Sequence, residues 1–217
     1  MPALEIFSLT PILCMAFAVN SGISKYRKGL PTYLKVLVAF LFLMLVTEIA
    51  GNIIRARGIN NQWLYNGLLI VMHLALPYVY YHLLFRESLK RVIRVYFIVF
   101  PIFQVINTLY WQPFNQFQTN QVVFGGSFIF LLAAAYFWQL YASDDIQKIT
   151  LDTGFWFSTG ILLYYGVHVP MLGMLNYLWI HFPTFLTKYF VPVTTIFSII
   201  LNLCFGMGFL CRKAEQK

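Results

Sequence analysis

Seven stretches of this chain are each long and apolar enough to cross a bilayer, which leaves few folds open to it. They run Ala3–Ser21, Thr32–Ile54, Trp63–Phe85, Val92–Trp111, Asn120–Tyr141, Thr153–Ile180 and Lys188–Leu210. A helix needs about 20 mainly apolar residues to span the hydrocarbon. The runs are too long for barrel strands and do not alternate apolar with polar. The expected fold class is therefore all-α: one integral membrane bundle of seven transmembrane helices covering the 217 residues. Composition agrees, with 60% hydrophobic and 10% charged residues against about 25% charged in soluble domains.

The net charge of +8 would on its own admit a nucleic-acid partner. The basic residues instead fall in short clusters between apolar runs, whereas a nucleic-acid footprint lines one solvated face. The partner expected is the lipid bilayer, and no nucleic acid. Twelve of the 15 Lys and Arg residues lie on one side of the proposed membrane: Lys25, Arg27, Lys28, Lys35, Arg86, Lys90, Arg91, Arg94, Lys148, Arg212, Lys213 and Lys217. Arg55, Arg57 and Lys188 lie on the other. Positive charge stays inside, so the C-terminus is expected in the cytoplasm and the N-terminus outside, in a multi-pass protein of the cell inner (plasma) membrane. Trp63, Trp111 and Trp179 fall at outer ends, as an aromatic belt requires.

The first run is read as a helix rather than a cleaved signal, because Glu5 near its start precedes the apolar stretch and no positive region does. Cys14 and Cys204 read as buried thiols and Cys211 as an interfacial one. Pro170 is expected to kink the long sixth run, and Pro77, Pro101 and Pro192 fall inside others. Gly166 with Gly173, and the run 133–135, permit close helix contacts. Ile102–Asn107 faintly echoes the stretch from Ile196 to Asn202, the kind of internal repeat found in transporters.

Polar groups inside a membrane are expensive and mark function or helix-to-helix hydrogen bonds. Glu48 is the only acid deep in any run, with Asn52 one turn away. His73 is near the middle of the third run, and His168 near the middle of the sixth, on one face with Tyr164. Asn66 and Asn107 fall in outer halves. Each reads either as a ligand contact or as a structural hydrogen bond. Together they suggest an outward-facing polar chamber with Glu48, Asn52, Asn66, His73, Asn107, Tyr164 and His168 as ligand-binding residues. No residue is assigned a catalytic role.

Three classes of function fit. One is a sensor or receptor-like module for an unknown small ligand, signalling through a cytoplasmic partner. Another is a secondary transporter or channel for a small solute or ion. The last is an intramembrane metal or haem protein using the two His and Glu48. No cofactor or metal is expected, because the close His spacing of such sites is missing. A retinal pigment needs a lysine deep in the last helix, and Lys188 sits at its mouth.

Trp63-Leu64-Tyr65-Asn66 opens the third run, and Phe155-Trp156-Phe157-Ser158-Thr159-Gly160 opens the sixth. With Glu48 placed before Gly58-Ile59-Asn60-Asn61, these make the chain resemble an uncharacterised family of short bacterial seven-transmembrane-helix proteins, akin to membrane modules associated with histidine kinases. The resemblance implies sensing. Where such proteins commonly carry an acid in helix three, this chain has His73, so no acid–base role carries over.

The charge asymmetry makes a direct prediction. A fluorescent protein fused after Lys217 is expected to fluoresce, and alkaline phosphatase at the same point to be inactive. The reverse pattern overturns the orientation.

Overall fold

Long apolar runs favour helices because every backbone hydrogen bond closes within the segment. In the computed structural model, which describes residues 2–26, 29–142 and 146–211, no strand occurs among the described residues. Seven helices have 20 residues or more: α1 Pro2–Tyr26, α2 Thr32–Ala56, α3 Gln62–Leu83, α4 Glu87–Ile106, α5 Thr119–Tyr141, α6 Thr153–Gly173 and, after two short helices, α9 Val191–Leu210. The short ones are α7 Leu175–His181 and α8 Pro183–Phe185. Of the residues behind the topology argument, Arg27, Lys28, Arg212, Lys213 and Lys217 lie outside the described residues. So do Asp144 and Asp145, and the side chains of Glu5, Lys148, Asn176 and Trp179.

Among the described residues, five segments are long and apolar enough to cross a membrane: α2, α3, α4 with its extension to Trp111, α5, and Pro183–Leu210. α6 is long enough, but Thr, Ser, Gly, Tyr, Trp and His dilute its apolar character. The sixth run proves to be two helices rather than one kinked one. Pro170 offers no N–H to the preceding turn, and α6 stops at Gly173 before α7 begins. Pro192 falls where α9 joins the helical turn before it, inside the span Pro183–Leu210, where a local change of helical pitch accommodates the missing N–H. A wider π-helical turn extends α4 over Asn107–Trp111, and another precedes α9 over Leu186–Phe190.

The helices α1, α2, α3, α5, α6 and α9 touch in that order, and α9 returns to α1. They form a ring, with α4 outside it against α3 and stacked on α5 through Tyr96 and Phe128. The upper end carries the α2–α3 and α4–α5 connections, joined where Asn60 donates to the Asn115 carbonyl at 2.8 Å. The α6–α9 connection through α7 and α8 lies at the same upper end, and the lower end carries the α1–α2, α3–α4 and α5–α6 connections. There Gln139 of α5 bonds the α3–α4 link at Phe85 and Leu83, and Cys211 donates to the Thr150 carbonyl.

The outer surface is apolar. Val95, Ile98, Ile102 and Val105 project from α4, and Phe42, Val46, Ile49 and Ile53 from α2, all exposed. A belt this continuous would aggregate in water and suits a lipid solvent.

Inside, the ring closes on glycines. The rings of Tyr65, His73, Tyr165, Phe17 and Phe157 rest on Gly51, Gly125, Gly126, Gly206 and Gly208 of neighbouring helices. A Cβ added at Gly160 would lie 2.8 Å from the Cys204 Cβ and 3.3 Å from the Leu201 Cα. Gly166 and Gly173 meet only ordinary contacts, with Phe130 at 3.5 Å and Val123 at 3.8 Å. The close approaches therefore lie elsewhere than those two residues suggested.

Gly160→Val is expected to force α6 from α9 and destabilise the bundle by about 1–3 kcal/mol. Gly67→Ala, where nothing lies within 4 Å, should leave stability unchanged or slightly raised. Thermal unfolding of the two variants in detergent checks this; equal loss in both would contradict the packing.

Candidate functional site

The polar residues singled out from the sequence lie in four places. On the α2–α3 face, the Tyr65 hydroxyl donates to Glu48 Oε2 at 3.3 Å, and Asn52 makes a long 3.5 Å contact to Oε1. Gly51 makes this possible, because the Tyr65 ring lies directly on it. Asn61 ties the start of α3 to the same place through the Gly51 carbonyl at 2.9 Å. Glu48 is half-buried and meets one hydroxyl and one amide.

Asn66 and Asn107 belong to a second group, a network of uncharged amides at the upper end. Asn66 is fully buried. Its Nδ2 donates to the carbonyls of Phe114 at 2.8 Å and Gln116 at 2.6 Å, and its Oδ1 accepts from the Gln118 backbone N–H. One side chain thus pins the whole α4–α5 connection onto α3. Gln118 is also fully buried. It accepts from Gln104 and donates to Thr108 and to the Gln112 carbonyl. Asn120 donates to Asn107 Oδ1 at 3.1 Å. The π-helical turn lets Asn107 and Thr108 face this network, and such turns recur at functional sites.

His73 stands alone in the middle of the bundle. It is fully buried between Phe100 of α4, Tyr165 of α6 and Gly125 of α5. Neither ring nitrogen finds a hydrogen-bond partner among the described residues. Tyr164 and His168 form the last group. Their rings stack with centroids 3.8 Å apart, and His168 Nδ1 lies 3.0 Å from the Tyr164 carbonyl, so both contacts stay within α6.

Among the described residues, no three His, Cys, Asp or Glu side chains gather as metal ligands would. His73, His168 and Glu48 each have separate neighbours, so the residues of the proposed metal site do not converge. At the lower edge, burial pushes the Cys211 thiol up from its ordinary range. The thiolate needed for acylation is therefore scarcer there.

A longer feature emerges once α3 is followed downwards. Asn66, His73 and Tyr80 are spaced by seven residues and lie on one face. Tyr80 shares a 2.9 Å hydrogen bond with Ser158 of α6, and Ser158 and Tyr165 are again seven apart. Gln121 of α5, one turn above Gly125, is fully buried with both amide atoms unpaired. The Tyr136 ring packs near Tyr80, and its hydroxyl donates to Asp152. Asp152 also caps α6 by accepting from the Phe155 N–H at 2.8 Å. A row of buried polar side chains thus runs from the amide network to the N-terminus of α6. Gln118, Gln121, Ser158 and Tyr136 are its members that residue type alone does not reveal. The seven-residue spacing of Asn66, His73 and Tyr80 is the signal that could have found it.

Comparison with family models, with curated proteins and with solved structures finds no match to this chain. The functional reading rests on the residues themselves.

Removing a buried polar group strands its partners at about 1–3 kcal/mol each. Asn66→Leu is therefore expected to lower thermal stability and to expose 112–118 to proteases. Unchanged cleavage in that connection would show that Asn66 does not hold it.

Proposed function

We propose that the chain is a bacterial inner-membrane sensor of seven spans, with its N-terminus outside and its C-terminus in the cytoplasm. It binds a small ligand in the outer half of the bundle and signals through a cytoplasmic partner at the lower end. Counting seven spans adds α1 and α6 to the five helices long and apolar enough to cross. The orientation follows the Lys and Arg asymmetry, and the resemblance to modules associated with histidine kinases supports sensing.

The observation that carries this reading is the buried polar row, whose centre is unsatisfied. Both His73 nitrogens, both Gln121 amide atoms and the Tyr165 hydroxyl lack partners among the described residues. Each such group costs about 1–3 kcal/mol in a dry interior. That cost narrows the free-energy gap to any second arrangement that supplies hydrogen bonds to them. A ligand can shift such an equilibrium by its differential affinity for the two states. The Asn66 amide sits where a ligand arriving from outside would compete for the loop carbonyls. The Tyr136–Asp152 bond and the cap of α6 sit at the other end of the row. Lys35, Arg86, Lys90, Arg91 and Arg94 offer a basic lower face for a partner. In this reading Glu48, with Asn52 and Tyr65, is a side contact that orients α2.

Transport of a small solute or ion is the second reading, and the same row favours it because it passes through the bundle from end to end.

Cys211, kept as the only cysteine after Cys14→Ser and Cys204→Ser, reports on the lower end through its rate of maleimide labelling. Asn66→Leu at the upper end should change that rate by about fivefold or more, the size of ordinary coupling energies. Adding His73→Phe should abolish the difference while leaving the bundle as stable or more so. Identical rates in all variants sink the sensor reading. A solute flux in liposomes that His73→Phe stops would favour transport instead.

A further inference from the structure

The opposite face of α5 carries a second site, which meets the polar row only at its upper end, where Asn120 donates to Asn107. A cavity of about 650 Å³ opens between α4, α5 and the end of α6. That volume is in the range of small-molecule sites, about 300–1,000 Å³. Asn120, Phe124, Ser127, Phe128 and Leu131 line it from α5, at the three- and four-residue spacing of one helix face. Phe103 of α4 and Leu172 of α6 supply the other walls.

Three properties of the cavity select its occupant. No charged side chain lines it, so nothing there neutralises a carboxylate or phosphate. Its walls are aromatic and flat: Phe103 and Phe124 stack at 4.3 Å with planes 26° apart, and Phe128 stacks on Tyr96 at 3.9 Å. Its polar groups sit at two levels, with Gln112, Thr119 and Asn120 at the top, where Gln112 is engaged by Thr119 and the Asn120 backbone N–H, and Ser127 below. Asn120 uses one N–H of its amide on Asn107 and retains the other. The Ser127 hydroxyl has no hydrogen-bond partner among the described residues. Seven residues separate the two, about 10 Å along the axis. Two hydrogen bonds of about 2.8 Å leave room between them for one six-membered ring with an oxygen at each end. Leu131, below Ser127, is 62% exposed on a helix apolar enough to cross a membrane, so the lower part of the groove opens sideways.

We infer that this groove binds a neutral membrane-borne para-quinone. Its two carbonyl oxygens accept from Asn120 and Ser127, its ring lies on Phe124, and its apolar tail leaves past Leu131 into the bilayer. A phospholipid is disfavoured because its charged headgroup meets no ion-pair partner.

The experiment uses the full-length protein in nanodiscs titrated with a decyl-tailed benzoquinone. Trp111 packs 6.1 Å from the Phe103 ring and reports by fluorescence quenching. Saturable quenching is expected. Ser127→Leu, which removes a donor and fills the groove, should weaken it by about tenfold or more, and Asn120→Ala by somewhat less, as expected for losing a hydrogen bond. Monoolein at the same concentration should not compete. Quenching that never saturates, or that is equal in wild type and Asn120→Ala, means partition into lipid and overturns the proposal. Equal competition by monoolein makes the groove a general lipid crevice and overturns it too. If Ser127→Leu fails to elute as folded protein, Asn120→Ala and thermal stabilisation by the quinone decide. None of these outcomes depends on the coupling of Asn66 to Cys211.

Discussion

How closely the helices approach one another is set by glycines that receive rings from across each interface, and the rest of the bundle depends on it. In lipid there is little hydrophobic gain from bringing helices together, so close packing must hold them. Gly51 under Tyr65, Gly125 under His73 and Gly206 under Phe17 each join a different pair of neighbours around the ring. A side chain at any of these glycines would overlap the ring it receives. The same contacts aim polar groups inward, because the ring resting on Gly125 is an imidazole and the one on Gly51 carries a phenol.

That packing explains why the polar residues serve different ends. Asn66 and Gln118 are paired at both amide atoms, while Gln104 Oε1 and Asn107 Nδ2 beside them are not, and together they turn an uncharged connection into a fixed cap. His73, pressed against Gly125, and the buried Gln121 one turn above that glycine remain without partners among the described residues. A buried polar middle left without partners is poorly explained by stability alone, since apolar residues of the same shape would cost less there. The groove on the far face of α5 has the opposite character. It is open, aromatic and uncharged, and its two free donors suit a ligand that arrives through lipid rather than from water.

Parts of the site were legible in advance and parts were not. Asn66, His73 and Asn107 stand out in apolar runs by residue type alone. The pairing of Glu48 with Asn52 follows from a spacing of four. Tyr164 and His168 fall on one face for the same reason, and they do stack. What could not be read was convergence. Glu48 meets Tyr65, His168 meets its own helix, and His73 meets Tyr165, although a single chamber holding all of them was equally consistent with the spacing. Ser158 stands out in sequence only as part of a motif, because a Ser hydroxyl on a helix usually bonds its own backbone, and Tyr136 is one of 14 tyrosines with nothing to mark it. Only the neighbour across the interface shows that Tyr80 and Asp152 take those bonds instead.

The sequence by itself determined the class of the protein. Run length, the scarcity of charge and the absence of alternation permit little but long apolar helices, and the Lys and Arg asymmetry supplies an orientation. Tertiary structure decided which face of each helix turns inward, that α4 stands outside the ring, and that the sixth run divides at Gly173. The reason is physical. In water, the apolar stripe of a helix announces its buried face. A helix apolar all round carries no such mark, so its rotation is fixed by where a glycine finds a ring and where a polar side chain finds a partner.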